Sequence, residues 1–199
     1  TERDLSGGWY DAGDLNKYTS WTANYVVEMM KAYIENPGAW GDDYNIPESG
    51  NGIPDLLDEA KWGIDFLLRM QEDDGGVLCI VSEDGASPPS LAKKQSVYGP
   101  ATTAASFNTA AAFAIASRVY RSMNRIAYAD TLIVKAEKAW KWGVAHPAVI
   151  FHNNSSQYGT QGVGAGDQEE DDYTRSISKL EAACYLFEAT QKAEYRAYF

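Results

Sequence analysis

Ala104, Ala105, Phe107, Ala110, Ala111, Ala112, Phe113, Ala114 and Ile115 leave residues 102–122 almost no polar face. A helix that is apolar on every side has to be enclosed on every side. The rest of the chain must therefore build a jacket around this segment, and its many alanines let neighbouring helices come close.

The candidates for that jacket are helical too. Over residues 20–35, Trp21, Tyr25, Met29 and Tyr33 recur every four positions, and Val26 and Met30 widen the stripe. Asn36, Pro37 and Gly38 end it. A second helix opens at Pro54, has Asp55 in its first turn, and runs to about residue 71 with Leu57, Ala60, Ile64, Leu67 and Leu68 on one face. Further helices are expected over 127–143 and 176–193, and a short extended run over 77–81. Helical hairpins packed around an enclosed member describe an all-α fold with few short strands. An α/α barrel satisfies the pattern, a bundle could also contain such a helix, and five helices are too few to close a large barrel.

Composition narrows the function. The chain has 199 residues, 45% of them hydrophobic, enough for one domain with its own core. The formal charge of −11 argues against nucleic acid as a partner, since phosphate binding needs a basic footprint. It can mean solubility or attraction of a cationic substrate. Aromatics make up 13%, which fills cores and also suits the flat apolar faces of sugar rings. Two cysteines are too few for a disulfide framework, and Cys184, in an Ala-rich stretch, is expected to be a small core residue. No apolar run approaches bilayer length, so no membrane partner is expected. The chain does not begin with Met, and both ends read as cut.

Three segments could carry chemistry. In Gly7-Gly8-Trp9-Tyr10-Asp11-Ala12-Gly13-Asp14 two carboxylates stand three apart with Gly13 between them. Glycine allows backbone angles that turn both toward one point, and a pair of acids around one water can orient and deprotonate it. The alternative is structural, with Asp14 capping a short helix and Asp11 in a turn. Residues 45–59 form a Gly-, Asn- and Pro-rich loop feeding a helix, a cleft wall or a plain connection. Asp167, Glu169, Glu170, Asp171 and Asp172 crowd five acids into six positions, a solvated loop or, as the minority reading, calcium ligands. No other cofactor is expected. His146 and His152 lack close metal-ligand spacing and read as loop residues.

Taken together and in order, these blocks resemble glycoside hydrolase family nine. The segment 7–14 resembles its catalytic signature, and residues 45–62 its next block. Met70-Gln71 with Asp74-Gly75-Gly76-Val77, the run 100–105 and the helix 180–190 resemble later ones. The resemblance implies an (α/α)6 barrel, of which residues 1–199 form a single partial catalytic domain, roughly its first half. It also implies inverting hydrolysis of β-1,4 bonds in a glucan-type poly- or oligosaccharide. Asp14 then matches the base that activates water, and Asp11 the acid that helps hold it. Trp9, Tyr10, Trp40 and Tyr44 are the aromatics expected to bind sugar. Inverting enzymes leave roughly 6.5–9.5 Å between base and acid, so Asp11 and Asp14, both on the water side, are not that pair. The family's general acid is a Glu near the end of its domain, and no Glu here sits in that motif. The chain alone is therefore expected to be inactive, its partner being the remaining C-terminal part of the same domain.

Leu15-Asn16-Lys17 after the signature, Ile177-Ser178-Lys179 and Ser87-Pro88-Pro89-Ser90 depart from the cellulase pattern. They resemble the branch that removes glucosamine from chitosan oligosaccharides. A non-catalytic carbohydrate-binding protein is the reading from another class, and the intact Asp11/Asp14 pair argues against it.

Overall fold

The computed structural model describes residues 2–82, 95–165 and 170–199. Five long helices dominate: α1 (Thr19–Glu35), α2 (Asp55–Met70), α3 (Thr103–Ser122), α4 (Ile126–Ala145) and α5 (Asp172–Thr190), with a short α6 (Ala193–Arg196) behind them. Their order and packing make an incomplete α/α barrel. Helix α3 packs on α1, α4 and α5, while α2 packs on α1. The result is an inner row of α1, α3 and α5 backed by α2 and α4.

The amino acids explain the layers. Seventeen of the residues in α3 are buried, including Ser106, Asn108 and Thr109. Helix α2 is one-sided instead: Leu57, Ala60, Ile64 and Leu67 are fully buried at helical spacing, and Lys61 and Glu59 face out. Thr102 caps α3, its side chain accepting from the Ala105 N–H. Asp171 caps α5 by accepting from the Thr174 N–H at 2.7 Å. That cap starts α5 four residues earlier than apolar periodicity alone predicts.

A small antiparallel sheet ties the ends of the inner helices together. Strand β1 (Lys17–Tyr18) pairs with β2 (Ile80–Ser82), and β2 with β3 (Val97–Tyr98). Lys17 faces Val81 and Tyr18 faces Ile80 in register. Immediately after β1, the Thr19 hydroxyl donates to the Leu78 carbonyl at 2.5 Å, and the Thr102 N–H donates to the Val77 carbonyl at 3.1 Å. The N-terminal ends of α1 and α3 therefore sit side by side on the segment 77–79. The α5 end joins them: Asn108 donates to Glu170 Oε1 at 2.6 Å, and Ser178 to Glu170 Oε2 at 3.0 Å. The three inner helices thus run parallel and open at one end. Cys184, expected inside, is only half-buried because it lies at the flank of α5. Among the described residues no helix is long and apolar enough to cross a membrane.

Candidate active site

The signature segment is strapped along α2. The Cβ that Gly8 lacks would sit 2.7 Å from the Phe66 ring, and both Gly7 and Gly8 have positive φ, at 91° and 68°. Only glycine allows this close approach with that backbone. The Lys17 ammonium, 7% exposed, donates to the carbonyl of Gly7 at 3.0 Å. Trp62 Nε1 donates to the carbonyl of Gly8 at 3.0 Å, and Arg69 to that of Ser6 at 3.2 Å.

Trp9 is tied into the scaffold on several sides. Its indole N–H donates to Glu59 Oε1 at 2.7 Å. Its ring lies over Gly63, where an added Cβ would come within 2.4 Å of it, and meets Tyr25 edge-on at 6.2 Å. The ring's partners come from two helices, so Trp9 anchors the signature to the scaffold. Tyr10 is exposed and lines a hollow of about 440 Å3 with Arg3, Lys17 and Tyr98. Trp40 and Tyr44 lie elsewhere. Trp40 Nε1 donates to the Ala32 carbonyl at 3.2 Å, and the Tyr44 hydroxyl to the Ala39 carbonyl at 2.9 Å. Both brace the far end of α1, whose 17 residues span about 25 Å at 1.5 Å per residue. Asp14 is at the near end.

Asp11 and Asp14 come together. The Asp11 N–H donates to the Asn16 carbonyl at 2.8 Å, and the Leu15 N–H to the Ala12 carbonyl at 3.3 Å, which folds the segment into a tight turn. The special backbone angle of this turn falls on Leu15, at φ 56°, and not on Gly13 as the sequence led us to expect. A bulky residue in the left-handed region costs roughly 1–2 kcal/mol, and such strain clusters at functional sites. Burial of the Leu15 side chain, 4% exposed, offsets it. Leu15 thus packs into the core beneath the turn. Ser178 is committed to Glu170, and the Lys179 ammonium to the Tyr198 ring at 4.6 Å.

Asp14 caps no helix: α1 has Tyr18 at its N-cap with no side-chain cap bond. Asp14 Oδ1 and Asn16 Oδ1 are both buried and accept from no described residue. A carboxylate oxygen in that state calls for a donor. Asp11 lies on the exposed surface of the turn. Partial desolvation, and then the neighbouring Asp14 charge, push its carboxyl above the ordinary Asp value. The raised pKa means the folded state disfavours the Asp11 carboxylate. That penalty is absent below the unfolded pKa and complete above the folded one. Asp11→Asn is therefore expected to raise the melting temperature at neutral pH and leave it unchanged near pH 3; equal gains at both pH values would contradict this.

Sequence reasoning passed over Glu59, Trp62, Gly63 and Lys17, although all but Lys17 stand in one helical stretch with a stripe facing the signature. Residues 87–90 and 166–169, with the glucosamine-branch motif and part of the acidic run, lie outside the described residues. Of the described acids in that run, Glu170 accepts from Asn108 and Ser178, Asp171 caps α5, and Asp172 pairs with Arg175.

Comparison with known proteins identifies a family, relatives and solved structures similar to this chain. The family model for glycosyl hydrolase family 9 matches residues 1–199. A cellulose 1,4-beta-cellobiosidase of Acetivibrio thermocellus is 35% identical over 216 residues, covering 98% of this chain and 23% of the relative. A cellodextrinase of Butyrivibrio fibrisolvens is 32% identical over 96% of this chain and 35% of the relative. The solved Bacteroides ovatus GH9 structure superposes with a TM-score of 0.86 at 30% identity, over 96% of this chain and 36% of that one. The crystal structure of a metagenome-derived glycoside hydrolase family 9 endoglucanase gives 0.84 at 32% identity, over 100% and 35%. The chain thus spans about a quarter to a third of the length of these proteins.

Proposed function

We propose that the chain, which belongs to glycosyl hydrolase family 9, supplies the water-activating half of an enzyme that hydrolyses β-1,4 bonds in a glucan with inversion. The observation that carries this is the tight turn that brings the Asp11 and Asp14 carboxyls together, near enough for the Asp14 charge to act on Asp11. A water held there donates one proton toward Asp14 and a second hydrogen bond toward Asp11. As the water oxygen attacks the anomeric carbon, Asp14 takes the proton, and the nucleophile becomes hydroxide-like only as the bond forms. The leaving oxygen departs from the opposite face and takes a proton from a second carboxyl group.

That acid is assigned to sequence beyond residue 199, in the same catalytic domain. No Glu of this chain stands in the family's acid motif, and the relatives are about three times longer. Tyr10, on the exposed side of the signature, is the aromatic that borders the sugar. Trp9 acts through the scaffold as a positioning residue.

The names of the relatives, a cellobiosidase and a cellodextrinase among them, support a glucan over a glucosamine polymer. The test is to incubate the whole protein with cello-oligosaccharides and, in parallel, chitosan oligosaccharides, and to follow the product anomer by proton NMR. Release of the α-anomer from cello-oligosaccharides is the expected result. Release of the β-anomer would remove the single-displacement mechanism. Turnover of chitosan alone would move the chain to the glucosaminidase branch, and binding without turnover would make it a lectin-like protein.

A further inference from the structure

At the opposite end of α2 from the reactive turn, Asp42, Asp55 and Asp58 each bring a carboxylate oxygen within 4.8 Å of the others. Two features of the chain make this cluster. Asp55 and Asp58 stand three apart in the first turn of α2 and so share a face. Asp42 comes from the loop 41–54, which folds back so that the Gly50 and Gly52 N–H groups donate to its two oxygens at 2.6 and 2.7 Å. Gly50 and Gly52, at φ 88° and 83°, hold the backbone angles that make this possible.

The charge is not balanced from within. Among the described residues no Lys or Arg pairs with any of the three, whereas Glu72, Asp65, Asp130, Glu137 and Glu188 each have a cation. Hydrogen bonding is incomplete as well. Asp55 is 2% exposed. Its Oδ2 accepts from the Tyr44 N–H at 2.6 Å and from the Ser49 hydroxyl at 2.8 Å. Its Oδ1 is buried and accepts from no described residue. An orphaned carboxylate oxygen at nearly complete burial, against two more carboxylates, has the donor set of a hard cation.

We propose that Asp42, Asp55 and Asp58 bind a calcium ion that clamps the loop 41–54 onto the first turn of α2. The ligand chemistry selects it. Three carboxylates without His or Cys disfavour zinc. Calcium–oxygen distances of about 2.3–2.6 Å place ligands across the ion up to about 5 Å apart, matching the cluster, and calcium tolerates irregular geometry where magnesium demands a near-ideal octahedron. The Asn51 side-chain amide donates to Asp58 Oδ2 at 3.0 Å.

The experiment uses the whole protein, chelator-stripped and then titrated with calcium by calorimetry, beside Asp42→Asn/Asp58→Asn. The double variant is expected to bind one equivalent fewer than the parent, and chelation is expected to lower its melting temperature less. Equal stoichiometry and equal affinities in the two proteins would overturn the site. A parent that binds no calcium at millimolar concentration would do the same and would leave a shared proton as the occupant. If the double variant does not fold, Asp58→Asn alone decides. A loss of at least about tenfold in affinity for one equivalent is expected, and unchanged affinity overturns the proposal. None of these readouts depends on hydrolysis.

Discussion

Asp14→Asn in the whole protein is expected to lower kcat on cello-oligosaccharides by about 10²–10⁴-fold, the usual worth of a positioned general base. The amide is nearly the same size and can still accept a hydrogen bond from water, so the loss comes from the missing proton acceptor. KM is expected to hold, because proton transfer develops only in the transition state. The fold is expected to hold as well. Asp14 caps no helix and its Oδ1 has no partner to lose among the described residues. Near-UV circular dichroism and the melting temperature check that side. A kcat within tenfold of the parent, with the fold intact, would remove Asp14 from the mechanism. Partial recovery of Asp14→Gly by added formate would mark the missing group as a carboxylate.

Gly63→Ala is expected to damage turnover far more than stability. The new methyl group would lie 2.4 Å from Trp9 ring atoms and 3.1 Å from a methyl of Val26. Overpacking of this kind costs typically 1–3 kcal/mol, but alanine regains about 1 kcal/mol of helix propensity over glycine. The net cost is therefore about 0–2 kcal/mol, a fall in melting temperature of no more than about 8 °C. The indole cannot simply slide away, since its N–H is held by Glu59 and its edge meets Tyr25. It moves as a unit with the signature two residues before Asp11. A displacement near 1 Å at a reacting centre can cost about 10²-fold in rate, and a fall of that size in kcat is expected. Activity within threefold of the parent would show that Trp9 does not position the turn.

The helices were legible because their signal is local and repeated. The buried run of α3 and the stripes of α1 and α2 need no knowledge of their neighbours. The two-residue strands β1 and β3 carry no periodicity and exist only because β2 lies between them. The start of α5 rests on one cap, Asp171, which apolar spacing ignores. At the site, Asp11 and Asp14 were readable from their separation. What holds them was not. Glu59 and Gly63 reach Trp9 from 50 residues away or more, and Tyr25 from another helix, and the strained angle sits on Leu15 where glycine was the obvious choice. Trp40 and Tyr44 were expected to meet sugar because aromatic rings can. Their distance from Asp14 follows from the length of a helix that the sequence did contain. Asp42 and Asp55 are 13 positions apart and meet only because two glycines reverse the chain between them.

Helix α3 has the role of a fixed axle. With neighbours pressed against every side of it, few of its positions can accept a larger or more polar side chain without disturbing an adjoining helix. Innovation in such a framework is pushed outward to the joints at the open end, where the inner helices begin and where new lengths and textures cost the hub nothing. One hub can then carry many differently shaped grooves, while the bearing on which the reactive turn rides stays the same.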